Sequence, residues 1–162
     1  MILYYIQAEM PSGFIILSDG RCLAPRYTGY DYLPELAMGE MSDESEEGVF
    51  KAWLKTCIPA EGDIENGFGG FIKPLTHENI MRQLDLRELT PANQDRFWAA
   101  LQRALEKLVL TADEKHDGVI YLLKKILRMR RLVEIKDDPD HLSDWRQGYM
   151  TPPTGKKIGP GW

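Results

Sequence analysis

The chain has 162 residues, a hydrophobic fraction of 43% and a formal net charge of −5. These values are typical of one folded domain with a sizeable core and exclude a disordered chain. No run of about 18 apolar residues occurs, which excludes a membrane-spanning helix, and the excess of acids argues against nonspecific binding to nucleic acid or anionic lipid.

The first residues and the cysteines indicate the compartment. Residues 1–7 are apolar but carry no basic segment in front, so we do not expect them to form a signal peptide. Cys22 and Cys57 are far apart and show no C-x-x-C pattern, which favours two free thiols in a reducing environment over a disulfide. We therefore expect a cytoplasmic protein.

Three short strands are predicted near the N-terminus. Ile2–Gln7 and Phe14–Leu17 are rich in β-branched and aromatic residues, and Asp19-Gly20 is a tight-turn signal before a third strand around 21–24. This pattern predicts an antiparallel meander. The continuous apolar character of the first two strands indicates that both of their faces are covered, either by helices or by a second copy in a homodimer.

The segment between Arg26 and Lys51 has the most unusual composition, because it holds seven acids and neither lysine nor arginine. Its first half contains Gly29, Pro34 and Gly39 and is predicted to be an ordered loop with one helical turn. Ser42 is predicted to cap a helix that follows, whose first turn is acidic as the helix dipole favours.

The middle of the chain predicts short elements. Phe71 and Ile72 predict a strand that Pro74 ends, which would place it at a sheet edge. Thr76 is predicted to cap a short helix that runs to about Leu84.

The strongest helical signal is a pair of amphipathic helices between Thr90 and Ile135. Thr90 is the expected N-cap of the first helix, with Pro91 at the first helical position. Thr111 and Glu114 form the T-x-x-E pattern of a capping box at the start of the second. The predicted fold is thus α+β: a single domain over 1–149, in which the meander packs against several amphipathic helices, followed by a Pro- and Gly-rich tail over 150–162.

Catalytic patterns are missing from the sequence. The glycine-rich piece at 66–70 fits no phosphate-loop motif, and the three histidines stand in different segments without metal-ligand spacing. A group of acids with one histidine could bind a divalent cation, but a helix stop followed by a turn explains the same residues: Asp137, Asp138, Asp140, His141 and Asp144. We therefore predict no enzyme activity, no metal and no cofactor.

A basic helix face gives one functional hypothesis. Lys124, Arg128 and Arg131 follow each other at i, i+4 and i+7 and would line one side of the second long helix. Such a face is typical of a nucleic-acid-binding helix, but it also fits a solvated surface or a surface that pairs with the acidic segment.

The acidic segment gives the favoured hypothesis. Its carboxylates repel one another without being required for folding, and the tyrosines between them supply the contact area that is enriched in protein interfaces. The prediction is an immunity protein that neutralises a basic toxin, such as a nuclease, by occluding its cleft; a solubilising loop explains the composition equally well. The predicted contact residues are Tyr27, Tyr30, Asp31, Tyr32, Glu35, Glu40, Asp43, Glu44, Glu46 and Glu47.

Overall fold

A computed structural model describes residues 13–23, 25, 29–67 and 69–131, together with the backbone of Tyr149 and Met150. The predicted strand at 2–7 lies outside this part of the chain. So do the group of acids at 137–144 and the predicted tail after Met150.

The fold combines helices with two small sheets, as the α+β prediction requires. The described elements, in chain order, are β1 (Phe14–Ile16), β2 (Cys22–Leu23), α1 (Gly29–Gly39), α2 (Ser45–Lys55), β3 (Ile64–Glu65), β4 (Gly70–Ile72), β5 (Asn79–Met81), β6 (Gln83–Asp85), α3 (Pro91–Thr111), α4 (Asp117–Arg131) and β7 (Tyr149–Met150).

The first sheet is built on the predicted hairpin. β1 and β2 pair antiparallel with Ile15 opposite Leu23, and the Gly20 N–H closes the turn by donating to the Leu17 carbonyl over 2.9 Å. Gly20 has a φ of +92°, a conformation that glycine adopts without steric cost. β6 joins β1 in parallel and β7 joins β2 in antiparallel, which gives the order β6-β1-β2-β7.

The second sheet has the order β3-β4-β5 and corrects two predictions. β4, which contains Phe71 and Ile72, is its central strand and not an edge. The predicted helix from Thr76 to Leu84 is wrong, because this stretch forms a turn followed by β5 and β6. The turn is closed where the Lys73 N–H donates to the Glu78 carbonyl over 2.9 Å, and β4 and β1 then supply the backbone partners that a helix would have supplied internally.

The first half of the acidic segment is also corrected, since α1 is a helix of 11 residues and not a loop with one turn. Its buried side includes Tyr30, Leu33 and Ala37, a spacing that fits the 3.6-residue period. Pro34 lies inside the helix and is buried. Pro34 cannot donate a backbone hydrogen bond, so we attribute the persistence of the helix to its buried stripe.

The long helix pair is confirmed, with one change at its junction. The Thr90 hydroxyl accepts from the Asn93 N–H over 3.2 Å, as an N-cap should. Thr111 does not open the second helix: it is the last residue of α3, and its hydroxyl donates to the Leu108 carbonyl. A short 3-10 turn at Glu114–His116 then leads into α4.

One large core joins the first sheet to the four helices α1, α2, α3 and α4. Ile15 and Leu23 face this core, whereas Phe14, Ile16 and Cys22 form a second small cluster with Met81. Both faces of β1 are therefore covered, as the continuous apolar character of 14–17 predicted. No helix within the described residues combines the length and the apolar character needed to cross a membrane.

Candidate functional site

The beginning of the acidic segment is turned into the core. Tyr30 is fully buried, and its hydroxyl donates to the Cys57 carbonyl over 2.9 Å. The prediction that Tyr30 packs against a partner as an exposed anchor is therefore wrong. Its ring fills the space beside Gly13, where an added Cβ atom would come within 2.5 Å of it.

Asp31 belongs to an internal ion-pair network around Arg82. The buried Arg82 guanidinium donates from Nε to Asp31 Oδ1 over 2.9 Å and from Nη1 to Glu65 Oε2 over 2.7 Å. A second pair of bonds, from Nη2, reaches the same two carboxylates. Arg82 also lies over the Phe71 ring, so the network links α1 to the second sheet. Asp31 thus has a structural partner and is not available as a free charge.

Glu40 is tied to α3. Its carboxylate accepts from Lys107 Nζ over 2.8 Å, and its backbone carbonyl accepts from Arg103 Nη2 over 3.0 Å. The Glu40 side chain is largely buried. These contacts fix the end of α1 against the long helix and assign Glu40 to the fold, not to a contact surface.

A tight turn positions the remaining acids at the start of α2. Ser42 is not the N-cap, which is Glu44; instead the Ser42 hydroxyl accepts from the Glu44 N–H over 3.1 Å. The Ser42 N–H in turn donates to Glu47 Oε1 over 2.9 Å. An added Cβ atom at Gly48 would lie 2.2 Å from the Asp43 carbonyl oxygen. Glycine at this position therefore permits the turn to lie directly against the first turn of the helix.

Asp43, Glu44, Glu46 and Glu47, together called the acidic surface below, are held by this turn. The side chains of Asp43 and Glu46 are 87% and 85% exposed, and Glu44 is also exposed. Asp43 pairs with Lys51 over 2.9 Å and Glu46 with Arg96 over 3.0 Å. The hydrogen bond from Lys51 lowers the pKa of Asp43. Asp43, Glu44 and Glu46 therefore point outward, whereas Glu47 is half-buried.

Two further predicted contact residues lie on the exposed side of α1. Tyr32 and Glu35 are exposed and one helical turn apart. Desolvation and the nearby Asp31 carboxylate raise the pKa of Glu35. Tyr27 lies outside the described residues.

The basic face of α4 is smaller than the sequence predicts. Lys124 and Arg131 are exposed, but Arg128 is half-buried and already makes an intramolecular contact. Lys125, their neighbour, is buried. Within the described residues the acidic segment forms four ion pairs, which go to Arg82, to Lys51 and to two residues of α3. These pairs do not join the acidic segment to the basic face of α4.

Sequence reasoning missed the cations that partner the acids. Arg96 and Lys107 lie 50 and 67 residues after their partners along the chain. Their spacing of 11 residues, three turns of a helix, places both on one side of α3. That periodicity was visible in the sequence, but the packing of this side against the acidic segment was not.

Two features of the described residues bear on metal and thiol chemistry. No group of three or more histidine, cysteine, aspartate or glutamate side chains is arranged there to hold a metal ion. Burial raises the pKa of the Cys22 thiol to about 12 and that of the Cys57 thiol to about 11. Both thiols therefore stay protonated at neutral pH and are poor nucleophiles.

Comparison with known proteins gives no match: no family model, no curated protein and no solved structure is significantly similar to this chain.

Proposed function

We propose that this protein is a non-enzymatic binder of a basic protein, in the specific form of an immunity protein that neutralises a toxin by occluding its cleft. The observation that carries the proposal is the exposure of the acidic surface on a rigid turn. Several carboxylates held outward with fixed spacing resemble a row of phosphates, which a nuclease cleft is built to bind.

The intramolecular pairs of the acidic surface do not stand against this proposal. Exposed ion pairs contribute only about 0–1 kcal/mol, because water and salt screen them. An arginine of a partner can therefore replace Lys51 at Asp43, or Arg96 at Glu46, at little cost in stability. By contrast, Asp31 and Glu40 are held in less exposed contacts, and the proposal does not include them.

Apolar contact area lies beside these charges. Val49 follows Glu46 by three residues on α2 and is 73% exposed, so the two side chains are neighbours on one helix face. In this proposal Val49 replaces Tyr30 as the source of apolar contact. An interface of this kind uses charge to accelerate association and apolar contacts to slow dissociation.

The test begins with a candidate partner, which is a toxin encoded beside this gene or a basic protein recovered by affinity purification at moderate salt. Its affinity is then measured for the wild type and for the variant Asp43→Asn/Glu44→Gln/Glu46→Gln. We expect binding to weaken by roughly tenfold or more, mainly through slower association, and the difference to shrink as salt is raised.

A matched control removes the same charge elsewhere. The control variant is Asp113→Asn/Glu114→Gln/Asp117→Asn, which neutralises three exposed acids near the start of α4. It should bind the partner within about threefold of the wild type, since distant exposed charges are screened. Equal losses in both variants would mean that only net charge matters. If the variant Asp43→Asn/Glu44→Gln/Glu46→Gln binds the partner as tightly as the wild type, the acidic surface is not the binding site.

A further inference from the structure

A pocket of about 230 Å³ lies on a part of the molecule that the proposed function does not use. It forms where the β1–β2 turn meets the first turns of α3 and the end of α4. The charged residues in its lining are Asp19, Arg21, Asp95 and Arg130, and Trp98 contributes an aromatic wall. The pocket therefore gathers two guanidinium groups on a chain whose net charge is negative.

Arg21 is held rigidly in this lining. Its Nε donates to Asp19 Oδ2 over 2.7 Å, and its backbone N–H donates to Asp19 Oδ1 over 3.1 Å. The side chain is only 11% exposed. Its Nη1 is buried and has no hydrogen-bond partner among the described residues. A buried guanidinium N–H without an acceptor is costly, so the fold retains unused donor capacity at this position.

Arg130 provides the second cation. Its guanidinium carbon lies 5.1 Å from the centre of the Trp98 ring, a distance typical of a cation–π contact. A cation–π contact of this kind holds the guanidinium near the ring without using its N–H groups as hydrogen-bond donors to a carboxylate. Arg130 is exposed, so it offers a ligand a charge that solvent can also reach.

We propose that this pocket binds a small organic anion, whose carboxylate or phosphate oxygens accept hydrogen bonds from Arg21 and Arg130 while its body lies against Trp98. The two carboxylates of the lining balance the two guanidinium charges, so hydrogen bonds and not net charge would select the anion. Asp19 accepts only from Nε and the backbone N–H of Arg21, which leaves the terminal nitrogens of Arg21 and the Arg130 guanidinium as donors. Nη1 is covered by neighbouring atoms, so a small rotation of the Arg21 guanidinium accompanies binding. The volume of about 230 Å³ limits the ligand to a small molecule.

Titration of the full chain with inorganic phosphate and, separately, with benzoate tests the proposal and distinguishes the two anion types. Binding is followed by calorimetry and by the indole N–H resonance of Trp98, which the variant Trp98→Phe identifies. We expect saturable binding of at least one probe and a shift of that resonance. Each of Arg21→Gln and Arg130→Gln should weaken binding by about tenfold, the effect of losing one charge-assisted hydrogen bond.

Two further variants make the outcome decisive. Arg131→Gln removes an exposed charge next to Arg130 but outside the pocket, and it should change the affinity by less than about twofold because of screening. Asp95→Asn removes a negative charge from the lining and should tighten binding of an anion. If neither probe binds, or if Arg131→Gln costs as much as Arg130→Gln, the pocket is not an anion site. Arg130 is exposed, so its variant remains informative even if Arg21→Gln fails to fold.

Discussion

Replacement of Arg82 by methionine tests whether the ion-pair network holds α1 against the second sheet. Methionine keeps the apolar stem and its contact with Phe71 but removes all hydrogen bonds to Asp31 and Glu65. The Asp31 side chain is 24% exposed and that of Glu65 is 67% exposed, so the two halves of the network differ in strength.

The expected loss follows from this difference. The Asp31 half is a charge-assisted, partly buried interaction and should contribute about 1.5–2 kcal/mol. The Glu65 half is exposed and should contribute about 0–1 kcal/mol. Arg82→Met should therefore lower the free energy of unfolding by about 1.5–3 kcal/mol, which corresponds to a decrease in Tm of roughly 3–12 °C for a chain of this length.

Urea denaturation followed by tryptophan fluorescence measures this loss. The matched control is Lys115→Met, which breaks an exposed pair with Asp113 and should cost no more than about 1 kcal/mol. The double variant Asp31→Asn/Arg82→Met should lose less stability than the sum of the two single variants, since both remove one interaction. A loss below about 0.5 kcal/mol for Arg82→Met, or strict additivity with Asp31→Asn, would refute the reasoning.

Three other predictions concern capping, thiol chemistry and pH. Thr90→Ala removes the N-cap of α3 and should lower the free energy of unfolding by about 1 kcal/mol. The control Thr111→Ala, at the other end of the helix, should cost less. Equal losses of the two variants in urea titrations would contradict the capping role of Thr90. Cys22 and Cys57 are buried and have raised pKa values, so a thiol reagent at pH 8 should label both slowly in the native protein and rapidly in urea; fast native labelling would show that the thiols are accessible. The hydrogen bond from Arg82 lowers the pKa of Glu65 from its ordinary 4.5, so this stabilisation is complete above pH 4.5 and is lost as the pH falls through the folded-state value. The stability difference between wild type and Arg82→Met should accordingly narrow below pH 4.5, and a constant difference would exclude this linkage.

Local patterns predicted the parts of the fold that local interactions stabilise. The Asp19-Gly20 turn and the Thr90 cap depend on hydrogen bonds between residues within a few positions of one another, and both were visible in the sequence. The apolar stripe of α3 follows from one helical period in the same way. Periodicity and capping residues are sufficient for such elements.

The elements that sequence reasoning missed depend on partners distant in the chain. α1 contains Pro34 and two glycines, which favour a loop locally, but burial of Tyr30 and Leu33 against the core outweighs that preference. The stretch after Thr76 forms strands because β4 and β1 offer it backbone hydrogen bonds. In both cases tertiary contacts override local propensity, and a single sequence carries no signal of where those contacts lie.

The acidic segment likewise has two parts, one held by residues distant in the chain and one held by local hydrogen bonds. Asp31 and Glu40 are held by cations that lie 51 and 67 residues further along the chain, and they account for part of the negative charge as internal electrostatics. Asp43, Glu44 and Glu46 are held outward by the locally hydrogen-bonded turn around Ser42. The exposed ion pairs of Asp43 and Glu46 contribute little to stability. Since folding does not require these three charges, they are available for the binding function proposed above. Substitution of Asp31 should therefore lower the free energy of unfolding, whereas substitution of Glu44 should weaken partner binding and leave stability unchanged.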